Sequence, residues 1–243
     1  MRRWSSSLIL FLIAVAGFFY LYWNRTSTPN RRTDRTFESY PREGRAEHRR
    51  SETAERKAEL QAKCSQFGIT CSSEYFGSWQ RPGVGDCSTS LRRGYPIPDR
   101  RCTPGGIDPS VTAEVLRNRD WRTGCIRNCQ TSEAEKHITY RWYGLRVPRR
   151  NYGERQVCEL DHLVPLELGG ADGLGNIWPE CGPSAVALDE RYFKIKDRVE
   201  NYLADEVKSG RMSLAAAQRG IASDWTQYLD AANRYCAAGG RCE

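Results

Sequence analysis

Apolar positions fall into three unlike patterns along the chain. The first is an unbroken run, LILFLIAVAGFFYLYW at residues 8–23, with no charge inside it. With Ser5 to Ser7 it approaches the roughly 20 residues that span a bilayer. Trp4, Tyr20, Tyr22 and Trp23 sit near its ends, where interfacial aromatics belong. An uncleaved membrane anchor over residues 1–24 is the preferred reading. A cleaved signal peptide is the rival, because Ala14-Val15-Ala16 fits a cleavage site. Cutting there would leave GFFYLYW as an exposed apolar terminus.

The second pattern is the lack of any period. Residues 24–46 are polar and rich in Arg, Thr, Pro and Glu, which predicts a tether. Residues 46–63 carry opposite charges at helical spacing but little apolar face, as in a short exposed helix. Together, residues 25–63 read as a basic linker. Residues 64–102 hold four cysteines among many Gly, Pro and Ser. Such a stretch buries too little apolar surface to fold alone and reads as a disulfide-held loop region.

The third pattern, from Thr103 on, is periodic. TPGGIDPSVTAEVLRNRDW opens on a Pro-Gly turn, with Asp108-Pro109 as cap and first helical residue of a short helix running from Ser110. HITYRWYGLRVP, His137 to Pro148, is rich in β-branched and aromatic residues and predicts a strand or hairpin. Gln156 to His162 is a second strand, residues 172–175 a turn, and Asn176-Ile177-Trp178 a short extended piece stopping at Pro179. Ser184 to Lys208 reads as one helix, with Leu188, Tyr192, Ile195, Val199, Leu203 and Val207 forming an apolar stripe that Gly210 ends. Ser213 then caps a last helix whose stripe is Leu214, Ala217, Ile221, Trp225, Tyr228 and Ala232. The class is α+β.

Composition adds a compartment. The chain has 243 residues, a net charge of +7 and ten cysteines. No two cysteines are spaced C-x-x-C, so paired zinc knuckles are disfavoured against disulfides formed in an oxidising compartment. Arg2 and Arg3 argue for a cytoplasmic N-terminus, while Arg25, Arg31, Arg32 and Arg35 argue the reverse. The cysteines decide for a soluble part that is periplasmic or extracellular, tethered first and secreted second. The positive balance permits a polyanionic partner without demonstrating one. Arg141, Arg146, Arg149, Arg150 and Arg155 lie among Trp142, Tyr143 and Tyr152. That mixture suits phosphate contact and base stacking. It is equally what a half-buried strand with a wet face shows.

The candidate chemistry sits in CELDHLVPLELGG, residues 158–170. His162, one of three histidines, follows Asp161 there. With NIWPE at 176–180 and a helix after it, the order is strand, loop, short strand, helix. On Asp161, His162, Pro165, Gly169, Gly170 and Asn176 the chain resembles the HNH family of endonucleases. More closely it is similar to a bacterial HNH-like group marked by DHLVPLELGG, NIWPE and KDRVENYL, preceded by TPGGIDPSVT and followed by AAAQRGIASDW. The resemblance spans roughly Thr103 to Trp225.

The resemblance implies a ββα-metal core with an additional C-terminal helix, in a nuclease domain over residues 103–243. It implies His162 as general base, Asp161 as metal ligand, and Asn176 as brace of the loop and orienter of the histidine. Hydrolysing a phosphodiester needs an activated water and neutralisation of the phosphate charge. An imidazole serves the first, a hard divalent ion on carboxylates the second. Mg²⁺ is the first choice of ion, with Mn²⁺ or Zn²⁺ as alternatives. The family's helix supplies a further ligand a few positions before a lysine. With Lys196 as that lysine, the positions carry Tyr192 and Phe193, and Asp189, Glu190, Asp197 and Glu159 are the available substitutes. Asp189 and Asp197 are taken as the metal candidates beside Asp161. Nucleic acid, DNA ahead of RNA, would lie on Arg141, Arg146, Arg149, Arg150 and Lys196. Cys158 and Cys181 flank the motif as a disulfide clamp, worth about 3 kcal/mol, or as half of a zinc site. Against the nuclease stand two other readings: a non-enzymatic envelope module on the same scaffold, and a secreted effector nuclease.

Overall fold

The computed structural model describes residues 55–56, 58–60 and 62–242. The apolar run 8–23 and most of the linker lie outside the described residues. Among those described, no helix is long and apolar enough to cross a membrane. The architecture is α+β. Among the described residues, three two-stranded antiparallel sheets are joined by short helices and followed by a helical C-terminal third.

The elements, in chain order, are β1 (Glu74–Tyr75), β2 (Ser90–Arg92), β3 (Tyr95–Ile97), β4 (Gly106–Ile107), α1 (Ala113–Arg117), α2 (Glu133–Lys136), α3 (Ile138–Trp142), β5 (Cys158–His162), β6 (Ile177–Cys181), α4 (Tyr192–Lys208), α5 (Leu214–Asp224) and α6 (Leu229–Ala237). β1 pairs with β4, β2 with β3, and β5 with β6. Residues 52–243 form one compact unit. All ten cysteines are paired, as Cys64–Cys125, Cys71–Cys129, Cys87–Cys102, Cys158–Cys181 and Cys236–Cys242. The first two bridges tie the cysteine-rich stretch forward into the segment between α1 and α2. Five disulfides fit an oxidising extracellular or periplasmic setting.

Several expectations of secondary structure are corrected. α1 is capped by Thr112 and starts at Ala113, not at Ser110 behind Asp108-Pro109. β6 runs through Pro179 to Cys181. Residues 137–148 are not a strand. Ser132 and Glu135 form a capping box, each side chain bonding the other's backbone N–H (2.8 and 3.3 Å), and this starts α2, with α3 directly after it. Thr139, Trp142 and Tyr143 then bury at helical spacing while Arg141 stays outside. The capping chemistry wins over the β-branched and aromatic composition. The helix expected from Ser184 begins only at Tyr192. Arg191 stands before it in extended conformation, and its guanidinium reaches back to the carbonyls of Glu154 (2.7 Å) and Gln156. The last helix is broken at Asp224. The Asp224 carboxylate accepts from the Thr226 N–H (3.0 Å) and hydroxyl (2.7 Å), and a 3-10 turn at Trp225–Tyr228 separates α5 from α6.

The main core gathers Val199, Leu203 and Val207 of α4, Ala217 and Ile221 of α5, Trp225, Leu229 and Ala232. Onto these fold Val111, Leu116, Val164, Leu166 and Leu168. A second cluster holds Trp142, Tyr143, Leu163 and Trp178 with the Cys87–Cys102 bridge. The loop after β5 joins the two, since Leu163 belongs to one and Val164 to the next. That loop doubles back tightly: a Cβ on Gly170 would run into the Val164 carbonyl, and Gly169 sits at φ +69°. Only glycine fits both requirements.

Candidate active site on the β5–β6 hairpin

The register of the hairpin sets the site. Cys158 faces Cys181, Glu159 faces Glu180, Asp161 faces Trp178 and His162 faces Ile177. Directly opposed residues share a face and neighbours along a strand alternate. Glu159, Asp161, Trp178 and Glu180 therefore lie on one face, and Cys158, His162 and Ile177 on the other. The Cys158–Cys181 bridge spans the register directly, with Cα atoms 4.0 Å apart. β5 stays regular through His162, so Asp161 and His162 leave it in opposite directions.

On the His162 face, Nε2 lies 2.8 Å from Asp172 Oδ1. The same oxygen is 2.8 Å from Lys136 Nζ, and both members of that ion pair are buried. Lys136 also donates to Asn128 Oδ1 and Glu133 Oε1, each at 3.0 Å. Burial would push the Asp172 carboxyl up, but its bonds to His162 and Lys136 outweigh that and hold it below the usual value. Asp172 is thus an ionised acceptor. An ionised Asp172 favours the tautomer with hydrogen on Nε2, which leaves Nδ1 as the ring's acceptor nitrogen. His162 itself is only 6% exposed.

Asn176 does not touch His162. It is fully buried, and its side chain makes four internal bonds. Oδ1 accepts from the N–H of Val164 (2.9 Å) and of Gly106 (3.2 Å), and Nδ2 donates to the carbonyls of Val164 (2.9 Å) and Ala171 (2.8 Å). It braces the loop that carries Asp172, so its influence on the histidine is indirect. The expected bracing is present, and the direct orientation belongs to Asp172.

On the other face, Asp161 Oδ2 accepts from the Trp178 indole N–H (3.1 Å) and from Lys196 Nζ (2.8 Å). Lys196, expected on the nucleic-acid surface, is fully buried. Besides Asp161 it bonds the His162 carbonyl (2.9 Å) and Glu200. Burial alone would push its ammonium down, but Asp161, Glu200 and Glu180 outweigh that and hold it well above the ordinary lysine value. Glu180 is buried and neither carboxyl oxygen has a partner. Burial, with the Asp161 charge added, raises it well above the usual carboxylate range. Glu159 is pushed up to about 7 by burial and by Asp161 and Asp197.

The carboxylates expected to hold a metal do not come together as a ligand set. Asp161 is taken by Lys196 and Trp178. Asp197 is paired with Lys194 at 2.7 Å. Asp189 is exposed on a 3-10 turn, Leu188–Glu190, outside the helix. Among the described residues no group of three or more His, Cys, Asp or Glu is disposed to hold a metal ion. The residues present do not fit the implied ion.

Arg141, Arg146, Arg149 and Arg150 are exposed on α3 and the loop after it, beside Leu145, Val147 and Tyr152. A cleft of about 350 Å³ lies between this loop, α2–α3 and β5, lined by Arg127, Glu133, His137, Tyr140, Val147 and Glu159 among others. Glu133 links it to Lys136 and so to Asp172. Sequence reasoning missed Asp172 and Lys136. The signal for Asp172 was weak: an acidic residue in GGADG, where a turn alone accounts for it. Comparisons with protein-family models, with curated proteins and with solved structures give no match to this chain.

Proposed function

We propose that the chain hydrolyses phosphodiester bonds of nucleic acid, DNA ahead of RNA, outside the cytoplasm. In this reading residues 8–23 tether it to a membrane and the hairpin with its following helix is an HNH-like ββα core. The observation that carries the reading is the His162–Asp172 pair at the end of β5, on a loop braced by Asn176, with β6 and α4 following in order. Asp172, kept ionised beside Lys136, fixes the imidazole with its Nε2–H inward. Nδ1 then takes the proton of an attacking water, which is worth about 10²- to 10⁴-fold in rate. Exposed Arg141, Arg146, Arg149 and Arg150 supply phosphate contacts, and the cleft with Arg127 and His137 lies beside them. No step is assigned to a metal at Asp161, because that carboxylate is already satisfied.

The test uses the full-length chain in detergent with its disulfides intact, incubated with plasmid DNA and with RNA. Parallel arms contain EDTA, Mg²⁺ or Mn²⁺. Cutting that His162→Ala abolishes, while the variant keeps its circular dichroism and melting profile, supports the reading. Equal behaviour of a folded His162→Ala sinks it.

A second reading has its own observation. The Lys196 ammonium on Asp161 and the small exposure of His162 fit a scaffold retained for binding rather than cutting. Nucleic acid bound but left intact in every arm favours that reading. N-terminal sequencing of the mature protein separates the tethered form from a secreted effector.

A further inference from the structure

We infer that Lys196 is the resident cation of the hairpin–helix site, its ammonium held by Asp161 and Glu200 where the HNH resemblance implies a divalent ion. The inference rests on the reading above for the location of the site, but it concerns what fills the site rather than whether the chain cuts.

The geometry is that of a small coordination shell. Nζ lies 2.8 Å from Asp161 Oδ2 and 2.9 Å from the His162 carbonyl, and it also contacts a Glu200 oxygen. An ammonium has three N–H donors, and these three oxygens use all of them. The acceptors come from the end of β5 and from the next turn of α4, so Lys196 joins the two elements that a bound ion would join. Its side chain is fully buried, and Asp161 and Glu200 are 9% and 12% exposed. Glu180, on the same face and fully buried, feels the charges of Asp161, Lys196 and Glu200. Burial raises the carboxyls of both Glu180 and Glu200, and the Lys196 charge pulls each back down. On the rim, Lys194 holds Asp197.

A divalent ion offered to this cluster meets a like charge already seated in a water-poor pocket. Glu180 has two partnerless oxygens, yet an ion binding them would lie close to the Lys196 charge that Glu180 already feels. The cluster is thus built for a cation and already contains one. The sequence pattern agrees in one respect: the helix offers Tyr192 and Phe193 where a metal ligand is expected, and Lys196 one turn later.

The test reads ion binding and needs no nuclease activity. Trp178, whose indole bonds Asp161, is a built-in antenna for Tb³⁺ luminescence. The full-length wild-type chain is titrated with Tb³⁺ and, separately, with Mn²⁺ while its melting is followed. The expected result is no Tb³⁺ emission that Asp161→Asn removes and no Mn²⁺-dependent rise in Tm. Lys196→Ala should gain a saturable Mn²⁺ site at least tenfold tighter than anything in wild type, and lose it again with Asp161→Asn. Wild-type emission that Asp161→Asn abolishes overturns the inference. So does a folded Lys196→Ala chain that takes no ion, because the carboxylates would then not be a cation's ligand set. If Lys196→Ala does not fold, the wild-type titration decides alone. A chain that cuts DNA and binds Tb³⁺ through Asp161 overturns this inference and keeps the hydrolase reading. A chain that does neither does the opposite.

Discussion

The two faces of the β5–β6 hairpin use the same device to different ends. Each buries a lysine against an aspartate at 2.8 Å: Lys196 with Asp161 on one face, Lys136 with Asp172 on the other. Both lysines spend their three donors inside the protein, and on the first face this ties β5 to α4. On the second, the aspartate keeps an oxygen shared between Lys136 and His162, and one imidazole nitrogen is left over. A buried ion pair rarely adds net stability, but breaking one is costly, because the survivor is left charged and dry. The same chemistry therefore ties β5 to α4 on the Asp161 face and fixes the His162 imidazole on the other.

The largest effect should come from breaking the tie to α4. Lys196→Met leaves Asp161 and Glu200 without their cation and should cost about 3–5 kcal/mol in urea unfolding. Lys136→Met should cost less, about 2–3 kcal/mol, since Asp172 keeps His162 as a donor and, of the other two partners, Asn128 is neutral and Glu133 is exposed. If Lys136→Met proves the more damaging, the ranking of the two faces is reversed. Opening the Cys158–Cys181 bridge by a double Cys→Ser change acts on both faces at once. It should cost about 3 kcal/mol by the loop-closure argument for a separation of 23 residues.

The faces should also part company with pH. Glu159 has a folded value of about 7 against an ordinary 4.5. The folded state holds a proton that the unfolded chain has released between those values, so stability falls as pH rises through that window. The loss is on the order of 3 kcal/mol, and Glu180 acts in the same direction. Asp172 has the opposite sign, because its folded value lies below the ordinary one. Its contribution is present above the unfolded value and is lost as pH falls into the acid range. A melting series from pH 3 to pH 9 should therefore peak in mildly acid solution. Glu159→Gln should flatten the alkaline side and leave the acid side alone. A flattened acid side instead would mean that the two faces are electrostatically joined.

How much of this was legible beforehand follows from the range of each interaction. Strand β5, the turn at Gly169–Gly170 and the stripe of α4 from Tyr192 on are written in short-range pattern and lie close to where the sequence puts them, whereas β6 runs on through Pro179 to Cys181. The bracing by Asn176 came from the family resemblance, not from the pattern of the chain. The lysines were not legible. Lys136 is 36 residues from Asp172 and Lys196 is 35 from Asp161, and a lysine on a helix normally reads as a solvated one. The region 137–148 misled because composition speaks for strand while the decisive signal, Ser132 with Glu135, lies before it. Asp189 looked like a ligand only while the helix was thought to begin at Ser184. Once Arg191 delays the start, that carboxylate belongs to another surface.

The smallest change in stability, and the sharpest test of the outer surface, comes from the arginines. Arg146 and Arg149 are exposed, so Arg146→Ala and Arg149→Ala should each alter stability by no more than about 0.5 kcal/mol. On nucleic acid they should behave otherwise. Each phosphate contact releases counterion, so each lost arginine should lower the slope of log affinity against log salt by about 1 for duplex DNA. Fluorescence anisotropy with a labelled duplex, taken across a salt series, measures that slope. Arg155→Ala, exposed after Tyr152 rather than in the Arg146–Arg150 run, serves as the internal comparison and should change it less. If the loop variants match wild type in slope while His162→Ala still abolishes cutting, the phosphate track lies instead along the cleft of Arg127 and His137. The proton-transfer side of the hairpin would then be approached from α2 and α3 rather than over the loop.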